Sequence, residues 1–220
     1  MIRAVLFDLD GTLLDRERSL EMFLRGQHER HSAVLSGVTS DAYYATAHRL
    51  DRNGHEPRHQ LYSRLVAEFD LPVSLSNALL ADFEERFPKT CVLFPEVLST
   101  LSILRLLRLR VGLITNGYER MQAAKVAALD LRSHIDAVLI SETEGIRKPH
   151  PEIFRRAAHQ LDVSCEKAIY VGDNPEADIV GAKAADMWVV WRRNEFWPEP
   201  EDADATIDSL DGVLKLIGAW

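Results

Sequence analysis

The chain has 220 residues, 46% apolar and 27% charged, which excludes global disorder and allows one or two domains around a sizeable core. Its 34 acidic residues against 26 lysines and arginines give a formal net charge of -8, which argues against nucleic acid or an anionic membrane as the main partner. Cys91 and Cys165 lie far apart with no CxxC, so neither a disulfide framework nor a zinc site is expected, only two reduced thiols in a cytoplasmic protein.

In chain order, residues 2–7 form a short apolar run that reads as a strand buried on both faces. Its apolar stretch before Asp8, about four residues, is too short for the core of a signal peptide. Residues 16–89 hold no convincing strand, and apolar residues recur at helical spacing in Leu61-Leu65-Phe69 and Leu79-Phe83-Phe87. The segment reads as an all-helical insert. The apolar window 97–115 carries Arg105, Arg108 and Arg110, which excludes a lipid-facing helix. Further buried strands are expected at 111–114, 137–140, 168–171 and 188–191, with helices at 119–129, 151–161, 176–185 and 209–217. Residues 198–202 read as a solvated loop. The alternation predicts an α/β fold, an open parallel Rossmann-like sheet flanked by helices.

Ligands of such sheets bind outside the carboxyl ends of the strands. Asp8 and Asp10 follow the first strand, Thr115-Asn116-Gly117 the second, Lys148-Pro149 comes after the third, and Gly172-Asp173-Asn174 follows the fourth, with Asp178 five residues beyond Asp173. Two carboxylates about 4 Å apart repel by roughly 4 kcal/mol at an effective dielectric near 20, so such a cluster needs a cation or raised pKa values. Oxygen-only ligands select a hard ion such as Mg2+. Lys148 adds one positive charge. Together these groups suit phosphoryl transfer, in which negative charge must be neutralised before a carboxylate can attack.

Asp8-Leu9-Asp10-Gly11-Thr12 resembles the first motif of the haloacid-dehalogenase-like superfamily. Leu113-Ile114-Thr115-Asn116-Gly117 resembles the second, Lys148-Pro149 the third, and Gly172-Asp173-Asn174-Pro175-Glu176-Ala177-Asp178 the fourth. The four motifs stand in order across residues 2–191. The resemblance implies that Asp8 is the nucleophile and a metal ligand. It implies that Asp10 protonates the leaving oxygen and then activates water, its backbone carbonyl also binding Mg2+. Thr115, with the amide of Asn116, would bind phosphate. Lys148 would hold nucleophile and phosphate in register, Asp173 would ligate the metal, and Asp178 would support it from behind. The core would span 1–15 and 90–220. The insert at 16–89 would be the helical cap that closes over the cleft and selects the leaving group.

Asp10 separates this chain from halide displacement and phosphonate cleavage, because relatives with those activities lack the second acid. The absence of lysine from residues 16–88 also removes a Schiff base on the insert. A phosphomutase keeps both aspartates and stays open. A non-catalytic binding module is disfavoured by intact Asp8, Asp10, Lys148 and Asp173. The expected substrate is a small phosphorylated metabolite, a 5′-nucleotide or a sugar phosphate. The expected state is a monomer or small homo-oligomer. His28, His31, His55 and His59 read as solvated rather than metal-binding, since no HExxH accompanies them. Arg49, Arg52, Arg58 and Arg64 read as a solvated helical face, and Tyr43, Phe83 and Phe87 as core of the insert.

Overall fold

A computed structural model describes residues 1–218, so Ala219 and Trp220, which the sequence reading assigns to the core, lie outside the described residues. The chain divides into two compact units: Met1–Asp15 with the chain from Leu93 onward, and Arg16–Val92.

The second unit is helical, built from α1 (Arg16–Arg30), α2 (Ser40–Asp51), α3 (Arg58–Glu68) and α4 (Leu75–Thr90). Its periodic apolar residues Leu61, Leu65, Leu79, Phe83 and Phe87 are all buried, while Phe69 is only half-buried. Phe23 packs edge-on against Phe83, with ring centroids 5.3 Å apart. Gln27 is fully buried in this core, and both ends of its amide are satisfied, as burial of an amide demands. Its Oε1 accepts from the Tyr43 and Tyr62 hydroxyls at 2.8 and 3.1 Å, and its Nε2 donates to the Leu79 carbonyl at 2.9 Å. Of the four arginines read as a solvated face, Arg49 reaches Glu68, Arg58 reaches Asp51 and Arg64 reaches Glu56, while Arg52 is exposed; Arg16 also reaches Asp51. Among the described residues, no histidine belongs to a group of three or more side chains placed to share a metal ion.

The first unit is a six-stranded parallel sheet: β1 (Ala4–Phe7), β2 (Arg110–Thr115), β3 (Ala137–Ile140), β4 (Ala168–Gly172), β5 (Trp188–Arg192) and β6 (Ala205–Ile207), in the order β3-β2-β1-β4-β5-β6. This is the expected open parallel sheet with helices on its faces. All residues of β1 and β4 are buried, which explains their unbroken apolar sequences. One core cluster joins Leu6, Ile114, Leu139, Phe154, Tyr170 and Trp191, with Phe154 edge-on to Tyr170 at 4.8 Å. The flanking helices are α5 (Val97–Leu106), α6 (Glu119–Ala128), α7 (Ser141–Glu144), α8 (Pro151–Gln160), α9 (Gly181–Lys183) and α10 (Val213–Ile217).

Three details differ from the sequence reading. β6 is an edge strand of three residues, too short to show periodicity. The sequence reading has no helix at Val97–Leu106, where α5 precedes the strand expected at 111–114. The helix expected at 176–185 starts as a π-helical turn, Pro175–Val180, before α9. No helix among the described residues is long and apolar enough to cross a membrane. No disulfide joins Cys91 and Cys165, and the Cys91 thiol donates to the Phe87 carbonyl at 3.3 Å.

Candidate active site

The strand order runs outward from β1 to β3 and restarts at β4, so the crevice between β1 and β4 is the topological switch point, where open α/β sheets bind ligands. Register sets the height of the groups there. Phe7 lies level with Leu113 and Val171, and the amide of Asp8 donates to the Val171 carbonyl at 2.9 Å. Asp8 therefore emerges beside the ends of β2 and β4, next to Thr115 and Asp173. Oxygens of Asp8, Asp173 and Asp178 all lie within 4.8 Å of one another, and all three residues are buried.

Two glycines make room for this crowding. A Cβ on Gly11, whose φ is +85°, would stand 2.4 Å from Asp173 Oδ2. A Cβ on Gly172 would stand 2.4 Å from the Asp178 carboxyl carbon. Neither side chain could keep its place beside an alanine.

Lys148, also buried, sits at the centre. Its Nζ donates to Asp8 Oδ1 at 2.6 Å, to Asp178 Oδ1 at 2.7 Å and to the Tyr170 hydroxyl oxygen at 3.0 Å. Asn116 fixes the backbone that carries it: Asn116 Nδ2 donates to the Lys148 carbonyl at 3.0 Å, and the Lys148 amide donates to Asn116 Oδ1 at 3.0 Å. The Asn116 side chain is thus a clamp on Lys148. Asp178 already accepts three donors, Lys148 and the Tyr170 hydroxyl on Oδ1 and the Asn174 amide on Oδ2. Asp173 is held by Asn194, whose Nδ2 donates to Oδ2 at 2.6 Å, and by Trp191, whose Nε1 donates to the Asp173 carbonyl at 2.7 Å.

Asp10 lies on the other side of the turn. Lys125 Nζ donates to its two oxygens at 2.8 and 2.9 Å, and Gln122 Nε2 donates to Oδ2 at 3.0 Å. The same Gln122 nitrogen donates to the Thr115 hydroxyl oxygen. The structure therefore brings Asp8, Lys148, Asp173 and Asp178 into one contact group, and links Asp10 to Thr115 through α6.

The electrostatics call for a cation. Four carboxylates, Asp8, Asp10, Asp173 and Asp178, face two ammonium groups, Lys125 and Lys148, leaving two negative charges in a largely buried space. Burial, with Asp178 and Asp10 nearby, pushes Asp8 up to about 7 even though Lys148 pulls the other way. Burial and the neighbouring Asp8 and Asp178 push Asp173 well above the carboxylate range. Burial works against the charge on Lys148, but Asp178 and Asp8 outweigh it and hold its pKa above the usual lysine value. A divalent ion would balance the charge, and an all-oxygen donor set fits a hard one.

The model of the haloacid dehalogenase-like hydrolase family matches residues 2–186. The chain belongs to that family. It is 32% identical over 227 residues to a glyceraldehyde 3-phosphate phosphatase of Methanopyrus kandleri, covering 99% of this chain and 96% of the relative. It is likewise 32% identical over 197 residues to a protein of the same name from Pyrococcus abyssi, covering 87% and 81%. Among solved structures, a HAD phosphatase from Thermococcus onnurineus superposes with a TM-score of 0.69 at 28% identity, covering 99% of this chain and 98% of that one.

For this haloacid dehalogenase-like hydrolase, sequence reasoning missed Gln122, Lys125, Tyr170 and Asn194. A signal for two of them was present. The buried residues of α6 are Gln122, Lys125 and Val126, an inward face two-thirds polar. Long polar residues are rarely buried without a partner, so a short alanine-rich helix that turns them inward points at a site. Tyr170 and Asn194 carry no such mark, since a tyrosine in a strand and an asparagine in a loop are ordinary there.

Proposed function

We propose that this hydrolase is a phosphomonoesterase that works through an aspartyl-phosphate on Asp8. The observation that carries the reading is the placement of Asp8 at the switch point, bonded to Lys148 and crowded by Asp173 and Asp178. Asp8, Asp173 and the Asp10 backbone carbonyl are the proposed ligands of Mg2+, which would draw charge from the phosphoryl oxygens. Asp8 attacks phosphorus, the ester P–O bond breaks, and Asp10 gives its proton to the departing oxygen. Asp10 then takes a proton from water as that water attacks phosphorus, and inorganic phosphate leaves Asp8 free. Lys148 offsets the repulsion between the attacking carboxylate and the phosphate. The Thr115 hydroxyl and the Asn116 amide hold phosphate oxygens, while the Asn116 side chain keeps Lys148 in place. Asp178, with its oxygens already taken, orients Lys148 rather than binding the ion.

The helical unit is proposed to select the leaving group. Full-length similarity to proteins named glyceraldehyde 3-phosphate phosphatases supports a sugar phosphate of triose size ahead of a 5′-nucleotide. Two cysteines kept as thiols are what supports a cytoplasmic location.

The test is phosphate release from a panel holding a triose phosphate, larger sugar phosphates and 5′-nucleotides, with and without magnesium, for wild type and Asp8→Asn. Release that needs both magnesium and Asp8 is expected. A folded, magnesium-binding protein that frees no phosphate from any ester would overturn the reading and favour a mutase.

A further inference from the structure

Asp10 is one of the two acids that mark the first motif, and groups from outside that motif hold its carboxylate. These groups come from α6, more than a hundred residues away in the chain. Lys125 touches both oxygens at 2.8 and 2.9 Å, and Gln122 touches Oδ2 at 3.0 Å. They stand three apart, on one face of the helix. Both are nearly sealed from solvent, with exposures of 6% for Lys125 and 2% for Gln122.

A carboxamide nitrogen carries two hydrogens. Gln122 uses them on two different motifs, one on Asp10 and one on the Thr115 hydroxyl. Gly117 makes this possible, because a Cβ there would stand 2.9 Å from Gln122 Cγ and 3.1 Å from its Cδ. The glycine of Thr115-Asn116-Gly117 is thus more than a turn residue: it leaves room for the side chain that bridges Asp10 to Thr115. The cost of burying a lysine is met by a contact with both oxygens, which fixes rotation as well as distance.

We propose that Gln122 and Lys125 are positioning residues that set the orientation of the Asp10 carboxylate against the phosphate held by Thr115. The inference rests on the phosphatase reading, in which Asp10 gives a proton to the departing ester oxygen. A displaced Asp10 would still leave Asp8 able to attack, but proton delivery to a poor leaving group would fail.

The experiment measures kcat/KM for an alkyl phosphate that the wild type hydrolyses and for p-nitrophenyl phosphate, whose oxygen departs readily without a proton. Lys125→Met, Gln122→Leu and the conservative Lys125→Arg are compared with Asp10→Asn and wild type. General acid catalysis is worth about 10²–10⁴-fold, so Lys125→Met is expected to lose about 100-fold on the alkyl ester and less than about 10-fold on the aryl ester. Gln122→Leu is expected to show the same selectivity more weakly, and Lys125→Arg to recover part of the loss. The variants should fold, with a lowered thermal midpoint for Lys125→Met, and the rise of the midpoint with magnesium should stay near wild type. If Asp10→Asn loses the alkyl ester selectively while Lys125→Met and Gln122→Leu lose both esters equally or neither, the positioning role is overturned and the phosphatase reading stands. If Asp10→Asn itself shows no selectivity, the acid assignment fails and this proposal fails with it.

Discussion

Replacing Asp8 by asparagine should abolish turnover and, in metal-free solution above neutral pH, make the protein more stable. Asparagine keeps the shape of the side chain and removes a charge that the folded site does not favour. Burial and the nearby acids raise Asp8 from 3.8 to about 7. Between those values the folded protein binds a proton that the unfolded chain has already released, so wild-type stability falls as pH rises from about 4 to about 7 and is flat above. At about 1.4 kcal/mol per pH decade the loss amounts to about 4 kcal/mol. The bond from Lys148, 2.6 Å long, is already contained in that balance, because Lys148 pulls the Asp8 pKa down while burial raises it. The gain for Asp8→Asn at pH 8 is therefore on the order of 4 kcal/mol, or about 8–16 °C in the melting midpoint. The assay is thermal unfolding in chelator at pH 5 and pH 8, repeated with millimolar magnesium. The advantage of the variant should shrink at pH 5. Magnesium should reverse the order at pH 8, because wild type gains from binding and the variant has lost a ligand. A variant less stable than wild type in chelator at pH 8, by a margin that does not change at pH 5, would refute the electrostatic account of the site.

Gly11→Ala should lower the magnesium-induced stabilisation and reduce kcat at least about 10-fold, because the new Cβ would stand 2.4 Å from Asp173 Oδ2 at a φ of +85°. Titration of the thermal midpoint with magnesium checks it. In the helical unit, Asp51→Ala should cost about 3–5 kcal/mol in urea unfolding, since it strands Arg16 and Arg58 around one buried partner. Burial alone would raise the Asp51 pKa, but the two arginines outweigh it and hold it below the ordinary value. The stability it contributes is therefore present above about pH 4 and lost as pH falls through the lowered pKa, so the difference between wild type and Asp51→Ala should narrow only in strong acid.

The parallel sheet was legible because β1 and β4 are buried on both faces, which forces unbroken apolar runs that end abruptly at polar residues. Those ends carry Asp8 and Asp173, so most of the site could be read where each strand stopped. The helical character of 16–89 was legible from the spacing of Leu61, Leu65, Leu79, Phe83 and Phe87, but the pairing of its arginines was not. An arginine on a solvated face and one aimed at Asp51 look alike in sequence, since the difference lies in which helix faces which. β6 was invisible for another reason: three residues at a sheet edge need no pattern, only a neighbour with free backbone groups. The grip on Asp10 belongs to the same class. Asp10 and Lys125 meet only because β1 and β2 lie side by side in register, which carries α6 to the end of β1. Residue types and local periodicity set what each segment must bury. Which polar side chains then met, and at what distance, was settled by strand order and register, because those contacts join positions that no local pattern relates.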